Sequence, residues 1–356
     1  MKKSIKLLSL FLAIIVLALS VVACNNAPQS SGSESTPDAP ASSNESSSDI
    51  NTPEIPEDLT VRVAGMTGPT GIGLVSLMDK SEKSETALKY EFDLYASAQE
   101  IVPLLVKGEL DIAAVPANLA AVQFNKNNGF IQTIAINNLG VLSILEKGES
   151  INSVADLKGK VIYAPASGKG AVPEYALNYV LSQNGIDPSK DVTVEWKAEV
   201  TEILAALKKT DGGIALLPQP AATNALNNVE GLREAININE AWNALGGDSK
   251  LVTGVIVVRK EFADANPAVI AKFLEEYEAS AKFVNENVED TAKLVEKYEI
   301  AAEAVALKAI PKCNITFIKN AEMKTVLAAY LQTLYDANPS SIGGSMPADG
   351  FYYVEK

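Results

Sequence analysis

The chain has 356 residues and a formal net charge of −14, with 47% hydrophobic and 21% charged residues. This composition is typical of one large globular domain or two medium ones, and an acidic surface disfavours nucleic-acid binding because it repels phosphate groups. The sequence has no histidine, the commonest general base and transition-metal ligand, so we expect no catalytic residues, no metal and no cofactor. Its two cysteines, Cys24 and Cys313, are too few for a disulfide framework.

Residues 1–23 have the order of an export signal, with a lysine-rich start, an apolar run from Leu7 to Val22 and small residues before Cys24. The end of this segment, Val21-Val22-Ala23-Cys24, resembles a bacterial lipobox, in which cleavage leaves a diacylated cysteine. We therefore predict lipidation at Cys24 and an extracytoplasmic position on the cell membrane, since two acyl chains give stable anchoring. An uncleaved membrane anchor, or a cysteine beside an ordinary signal by chance, is the alternative.

Residues 24–57 are predicted to form a disordered tether after the lipidated cysteine. The segment from Asn25 to Glu57 is rich in Ser, Pro, Asn, Asp and Glu, and it contains no Lys or Arg. Such a segment buries too little apolar surface to offset the entropy cost of ordering it. The folded part is therefore expected to begin at Asp58.

The first part of the folded region alternates between strands and helices. Strands are predicted at Leu59–Ala64, Tyr90–Tyr95 and Asp111–Val115, and helices over Leu74–Met78, after Ser97 and from Asn118. Ser97 with Glu100 three residues later predicts a capping box, and the nearly all-apolar third strand predicts burial on both faces. This order predicts an α/β fold with a mainly parallel sheet.

A second unit of the same kind follows. Strands are predicted at Ile131–Ile136, Val141–Leu145, Lys160–Tyr163, Val192–Trp196, Gly213–Leu217 and Thr253–Val258, and helices at Val172–Gln183 and Val200–Lys208. The stretch from Pro267 to Asn338 has an almost wholly helical period.

Two α/β units followed by C-terminal helices are the plan of a hinged two-lobe binding protein. We predict one lobe from residues 58–137 plus 254–340 and the other from residues 138–253. The chain would cross between them near Asn137–Val141 and Leu251–Val255. Ligands of open α/β sheets bind beyond the carboxyl ends of strands, at helix N-termini.

Four segments resemble the type-II periplasmic-binding-protein family of nitrate, sulfonate, taurine and thiamine-precursor ABC importers. They are Val61–Gly73, Ser97–Val115 with its Gly108-Glu-Leu-Asp-Ile-Ala-Ala-Val115 strand, Val154–Tyr163, and Gly254–Arg259 followed by Asn266-Pro267. Their order and spacing match over roughly residues 58–335. The resemblance implies a Venus-flytrap cleft, a membrane permease and a separate ATPase. The chain departs from an anion-binding pattern because none of its three arginines (Arg62, Arg233 and Arg259) falls in the predicted cleft loops.

The predicted cleft loops carry mostly neutral polar residues. The ligand-binding residues predicted here are Met66, Thr67, Thr70, Ser97, Gln99, Asn118, Asn137, Ser167, Gly168 and Gln219. Lys169 is the one cation in these loops. The lining suits a small, neutral or weakly anionic solute, such as a pyrimidine stacked on Tyr163, Trp196 or Trp242. Nitrate or a sulfonate would recruit arginine, although helix N-termini alone can also bind anions.

Several motifs admit another interpretation. Gly68-Pro-Thr-Gly-Ile-Gly73 superficially fits a dinucleotide fingerprint, but Pro69 and the resemblance favour a ligand-contacting turn or a simple tight turn. Gly168-Lys169-Gly170 is no P-loop, because Gly170 stands where Ser or Thr is required. A Ser–Lys nucleophile pair is not singled out by any spacing, and Cys313 is interpreted as a small buried residue.

The leading interpretation is solute capture by a monomeric, lipid-anchored binding protein. Its expected partners are a small-molecule ligand, the permease and ATPase subunits of an ABC importer, and the membrane that holds the anchor. An exported sensor lobe that reports to a membrane kinase is the first alternative. An enzyme of the same fold that acts on a small cofactor precursor is the second, and export and the missing histidine weigh against it.

Overall fold

The computed structural model describes residues 55–247 and 249–355, and the strands there pair into two sheets. The strands are β1 (Thr60–Met66), β2 (Lys89–Tyr95), β3 (Ile112–Pro116), β4 (Ile131–Leu139), β5 (Leu142–Lys147), β6 (Val161–Pro165), β7 (Thr193–Lys197), β8 (Ile214–Pro218), β9 (Leu232–Asn237), β10 (Val252–Arg259) and β11 (Ile315–Ile318). The predicted export signal, the predicted lipidation site Cys24 and the predicted tether up to residue 54 lie outside the described residues.

Helices cover both sheets. They are α1 (Pro69–Ile72), α2 (Val75–Glu82), α3 (Ala98–Lys107), α4 (Ala117–Lys126), α5 (Val172–Gln183), α6 (Val200–Lys209), α7 (Ala221–Asn228), α8 (Ile238–Asn243), α9 (Lys260–Ala265), α10 (Pro267–Glu286), α11 (Val288–Lys297), α12 (Glu303–Ala309) and α13 (Asn320–Ala337). Short 3-10 turns lie at Val154–Leu157, Ala166–Gly168, Ile310–Lys312, Pro339–Ile342 and Asp349–Phe351. No helix among the described residues is long and apolar enough to cross a membrane.

The two sheets share one strand pattern. Sheet one has the order β11-β4-β10-β3-β1-β2, and sheet two has the order β7-β6-β8-β5-β9. In sheet one β1 is parallel to β2 and β3, and in sheet two β6 is parallel to β7 and β8. The strands that arrive from the other sheet, β10 and β5, run antiparallel to both neighbours. The α/β class is confirmed, and most strands of each sheet run in one direction as predicted, whereas β5 and β10 run against them because they enter without a βαβ crossover.

The chain passes between the sheets twice. It leaves sheet one after β4 and enters β5 through Gly140 and Val141, and it returns from β9 to β10 through α8 and residues 244–251. Near the C-terminus, Tyr330 of α13 packs on Trp242 of α8, with ring centroids 5.8 Å apart. Helix α13 therefore contacts the sheet-two side as well as β4 of sheet one.

The core of the described part of the chain has three apolar clusters that follow the faces of the sheets. In β3, Ile112 and Ala114 lie in the cluster on one face, and Ala113 and Val115 lie in the cluster on the other. The predicted burial of this strand on both faces is thus confirmed. The cluster that contains Ala113 and Val115 also contains Ile144 of sheet two, so apolar packing is continuous from one sheet to the other.

Local sequence patterns predicted some elements closely and missed others. Helix α5 occupies Val172–Gln183 as predicted, and the capping box forms, with the Ser97 backbone N–H donating to Glu100 Oε1 at 3.0 Å. The helical prediction for 267–338 is wrong at β11, where Ile315 pairs with Asn138. Four residues of apolar sequence do not distinguish a strand from a helix. Helix α7 and strand β9 were not predicted.

Candidate functional site

A cleft of about 680 Å³ lies where the strand ends of sheet one meet those of sheet two. On the sheet-one side it is lined by the loop after β1 and by the N-termini of α3 and α4. On the sheet-two side the lining comes from the loop after β6, the N-termini of α5 and α6, and the segment between β8 and α7. Val141, Leu142 and Thr253, which flank the two passages of the chain, also line the cleft. This is the place where an α/β protein presents helix N-termini to a ligand.

The structure brings most of the predicted site residues together. Nine of the ten line the cleft, namely Met66, Thr67, Thr70, Ser97, Gln99, Asn118, Ser167, Gly168 and Gln219. Thr67, Gln99 and Ser167 are exposed at its surface, whereas Thr70, Asn118 and Gln219 are buried. The tenth residue, Asn137, does not line the cleft. Lys169 is exposed and also lies outside the lining, so the expected cation is missing from the site.

Asn137 lies beneath the cleft because of a bulge in β4. Gly254 of β10 pairs with Asn138, but the next residue, Val255, pairs with Ile136, which leaves Asn137 as the additional residue. Asn137 is fully buried, and its Nδ2 donates a hydrogen bond to the Thr70 carbonyl at 3.2 Å. Asn137 therefore supports the loop that contains Thr70. Bulges are common next to functional sites, where they change the direction in which a side chain points.

Sequence reasoning missed Asn138, Thr253 and the apolar Ile300–Ala302 loop before α12, all of which line the cleft. Asn138 Nδ2 donates to Thr253 Oγ1 at 2.5 Å, and Thr253 Oγ1 donates to the Leu139 carbonyl. Across the passage, Asn314 Nδ2 donates to the Gly140 carbonyl. Two consecutive asparagines at a predicted strand end could have indicated that Asn138 lines the cleft. The Ile300–Ala302 loop could not be recognised, because the residues around it have the apolar period of a helix.

The glycine-rich segment after β1 forms a tight turn and the one-turn helix α1. A Cβ on residue 71 would lie 2.2 Å from the Met66 carbonyl oxygen, so only glycine fits this turn. Met66, Thr67 and Thr70 on the same turn line the cleft. The segment is thus a tight turn at the cleft, and its spacing, Gly68-x-x-Gly71-x-Gly73, differs from the Gly-x-Gly-x-x-Gly order of a dinucleotide fingerprint.

The described residues that line the cleft carry no formal charge, and all three arginines are engaged elsewhere. Arg62 and Arg259 both contact the buried Asp111, at 2.6 Å and 3.1 Å, and the hydrogen bond to Asp111 raises the pKa of Arg62. Arg233 contacts Glu146 at 2.6 Å. Although burial raises the pKa of Glu146, its hydrogen bonds to Ser150 and Ile151 and the nearby Arg233 lower it overall.

No aromatic side chain lines the cleft among the described residues, so the expected stacking platform is missing. Trp242 is buried between Tyr179 and Tyr330, with ring centroids 4.3 Å and 5.8 Å away. Tyr163 lies under Lys197, whose Nζ is 5.3 Å from the ring centroid. Trp196 of β7 is half-buried behind Gly168. All three predicted aromatic candidates are therefore packing residues in this structure.

Cys313 is fully buried, and this burial raises the pKa of its thiol to about 12. A thiol with such a pKa is protonated at neutral pH and is a poor nucleophile. The interpretation of Cys313 as a small buried residue agrees with this environment.

Solved structures with a similar fold include an ABC transporter protein and sulphonate-binding proteins. An ABC transporter protein from Parabacteroides distasonis matches with a TM-score of 0.68 at 21% identity, over 84% of this chain and 100% of that one. The aliphatic sulphonate binding protein SsuA from Escherichia coli matches with a TM-score of 0.68 at 16% identity, over 83% and 92%. SsuA from Xanthomonas axonopodis pv. citri, bound to MOPS, matches with a TM-score of 0.63 at 14% identity, over 83% and 99%.

The two sheets with the cleft between their strand ends have the periplasmic-binding-protein fold, so this predicted fold is confirmed. The family described as NMT1/THI5 like matches residues 88–290, more than half of the chain. The chain belongs to this family. No curated protein sequence matches it.

Proposed function

We propose that this chain is the extracytoplasmic solute-binding lipoprotein of an ABC importer. It captures a small polar organic solute in the cleft and delivers it to a permease that works with a separate ATPase. The observation that carries the proposal is the position of the cleft, which is bounded by strand ends and helix N-termini of both sheets, beside the passages of the chain. A site built from two sheets closes when they rotate together around a solute.

The moving bodies in this proposal are two lobes, residues 58–137 plus 254–340 and residues 138–253. Hydrogen bonds of Asn138, Thr253 and Asn314 lie at the junction of the two lobes and hold the backbone carbonyls of Leu139 and Gly140. This network supports a hinge at the junction. Few residues need to change their backbone angles when such a hinge closes. Acylation of Cys24 would keep the monomeric protein at the membrane beside its permease.

The lining of the cleft supports binding rather than catalysis. General acid–base chemistry needs a titratable side chain within hydrogen-bond reach of the substrate. The described residues of the cleft lining include none. The solved structures of this fold that are named above are described as transporter or binding proteins, which supports the same conclusion.

The proposal is tested by measuring lobe closure. Spin labels are placed at the exposed positions 85 and 189, one in each proposed lobe, with Cys24 replaced by serine and the buried Cys313 retained. Addition of a small-molecule extract from bacterial culture medium should shorten the distance between the labels. A control pair at 189 and 230, both in the lobe of residues 138–253, should keep its distance. If the first distance does not change although native mass spectrometry shows a bound compound, closure around a solute is wrong.

A further inference from the structure

Several backbone amides around the cleft are engaged within the protein. Thr67 N–H donates to the Tyr95 carbonyl at 2.9 Å, and Gly68 N–H donates to the Met66 carbonyl at 2.8 Å. Gln219 N–H donates to the Val141 carbonyl at 2.9 Å. An anion held without arginine depends on free amides at strand ends and helix N-termini. These three amides are therefore not available to an anionic ligand.

Two carboxylates bind amides at helix N-termini that face the cleft. Ser97 N–H donates to Glu100 Oε1 at 3.0 Å in front of α3, and Gly170 N–H donates to Glu174 Oε2 at 2.6 Å in front of α5. A ligand anion at either position would have to displace a carboxylate of the same sign. The favourable helix dipole at these two ends is thus already used by the protein.

Proline removes further donors from the lining. Of the prolines that the structure describes, six line the cleft: Pro69, Pro116, Pro165, Pro173, Pro218 and Pro220. Pro116 and Pro220 are the N-cap residues of α4 and α7, and Pro173 occupies the first turn of α5. Proline has no N–H, so each of these positions presents apolar ring surface where another residue would present a donor.

Gln219 presents one fixed donor to the cleft. It is 2% exposed, and its Oε1 accepts hydrogen bonds from Thr223 Oγ1 at 2.7 Å and from Thr223 N–H at 3.3 Å. A backbone N–H can only donate, so the Oε1 must face Thr223 and the Nε2 must face away from it. Among the described residues the Nε2 has no acceptor, and Gln219 lines the cleft. A ligand acceptor atom would satisfy this donor.

We infer that the cleft selects an uncharged organic solute, which presents a hydrogen-bond acceptor to Gln219 Nε2 and apolar surface to the prolines, and that it rejects sulfonates, carboxylates and phosphates. This inference rests on the proposed function and adds the class of solute. Selectivity arises because an anion would lose its hydration without gaining a cation in exchange, and because carboxylates of the protein already occupy the amides in front of α3 and α5.

The first experiment identifies the charge of the solute. The purified full chain is mixed with a small-molecule extract of bacterial culture medium, and the captured compound is identified by native mass spectrometry. We expect a compound that is uncharged at pH 7, with an affinity that changes by less than about twofold between low and high salt, because screening acts only on charge. A captured anion or cation overturns the inference and leaves solute binding intact. Capture of no compound overturns the proposed function and the inference with it.

The second experiment tests the donor on Gln219. Gln219→Glu keeps the acceptor for Thr223 but removes the Nε2 donor and adds a charge, whereas Gln183→Glu adds the same charge at an exposed position of α5 outside the cleft lining. We expect the captured compound to bind about tenfold or more weakly to Gln219→Glu and within about threefold of the unmodified affinity to Gln183→Glu. Thermal melting checks that both variants are folded. Equal losses in the two variants, or no loss in the first, would show that Gln219 does not select the solute.

Discussion

Asn138 and Gly254 face each other across β4 and β10, and the side chain of the first occupies the space that a side chain on the second would need. A Cβ on residue 254 would lie 2.0 Å from Asn138 Oδ1 and 2.4 Å from Asn137 Oδ1. Both carboxamides reach this point because the bulge in β4 places consecutive side chains on the same side of Gly254. The absence of a side chain at residue 254 thus allows two asparagines to support the base of the cleft.

Gly254→Ala should destabilise the protein by about 2 kcal/mol, because overpacking forces buried groups apart. The displaced groups are the two carboxamides and Thr70, whose Cγ2 would lie 2.7 Å from the new Cβ. Chemical denaturation measures the change. Gly350→Ala is the matched control, since a Cβ there would meet no atom within 4 Å. A Gly254→Ala variant as stable as this control would show that the contact relaxes without cost.

Asp111→Asn should cost about 3 kcal/mol of unfolding free energy, because it removes the charge that two arginines share. Asp111 is 1% exposed and accepts hydrogen bonds from Arg62 and Arg259. The control is Glu261→Gln, which removes a carboxylate 3.6 Å from Arg259 whose side chain is 92% exposed. Exposed pairs contribute little, so this variant should change stability by less than about 0.5 kcal/mol. Similar effects of the two substitutions in urea denaturation would contradict the role of burial.

The ion pair between Glu234 and Lys312 should lose its contribution at acidic pH. Burial alone raises the pKa of Glu234, but the hydrogen bonds from Lys312 at 2.8 Å and Ser143 at 2.6 Å outweigh it and lower the pKa. Because the folded pKa lies below the unfolded value of about 4.3, the stabilisation is present above that pH and is lost as the pH falls through the folded pKa.

Glu234→Gln should therefore lower the Tm by about 2 °C at pH 7, corresponding to about 1 kcal/mol for a partly buried pair, and by less at pH 3. Differential scanning calorimetry across this pH range measures the difference between the variant and the unmodified protein. Glu230→Gln is the control, because Glu230 is exposed and makes no ion pair among the described residues. A constant difference at all pH values would exclude ionisation of Glu234 as the cause.

Cys24→Ser should release the protein from membranes, because it removes the predicted acylation site. Fractionation of cells, followed by a high-salt wash of the membrane pellet, measures the effect. Cys313→Ala is the control, since it removes the other cysteine and should leave the protein in the membrane fraction. A Cys24→Ser variant that stays in the washed pellet would mean that an uncleaved apolar segment or another contact holds the chain there.

The sequence by itself predicted the α/β class, the helix α5, the capping box at Ser97 and the strand buried on both faces. These features depend on short-range patterns of apolar residues and caps, and such patterns act within one or two turns of chain. The same patterns placed Thr70, Ser97 and Gln219 at strand ends, and the structure gathers them around one cleft.

Only the tertiary structure decided how Asn137 and Asn138 divide their roles, since the bulge that separates them depends on pairing with a strand more than 100 residues away. The same holds for the antiparallel β5 and β10, for β11 within a helical region, and for the removal of all three arginines into ion pairs away from the cleft. Each of these outcomes is a contact between segments far apart in sequence, and a local pattern carries no information about such a partner. The orientation of the Gln219 carboxamide is local, because Thr223, four residues away, donates to its Oε1. Its position in a cleft between the two sheets depends on the tertiary structure.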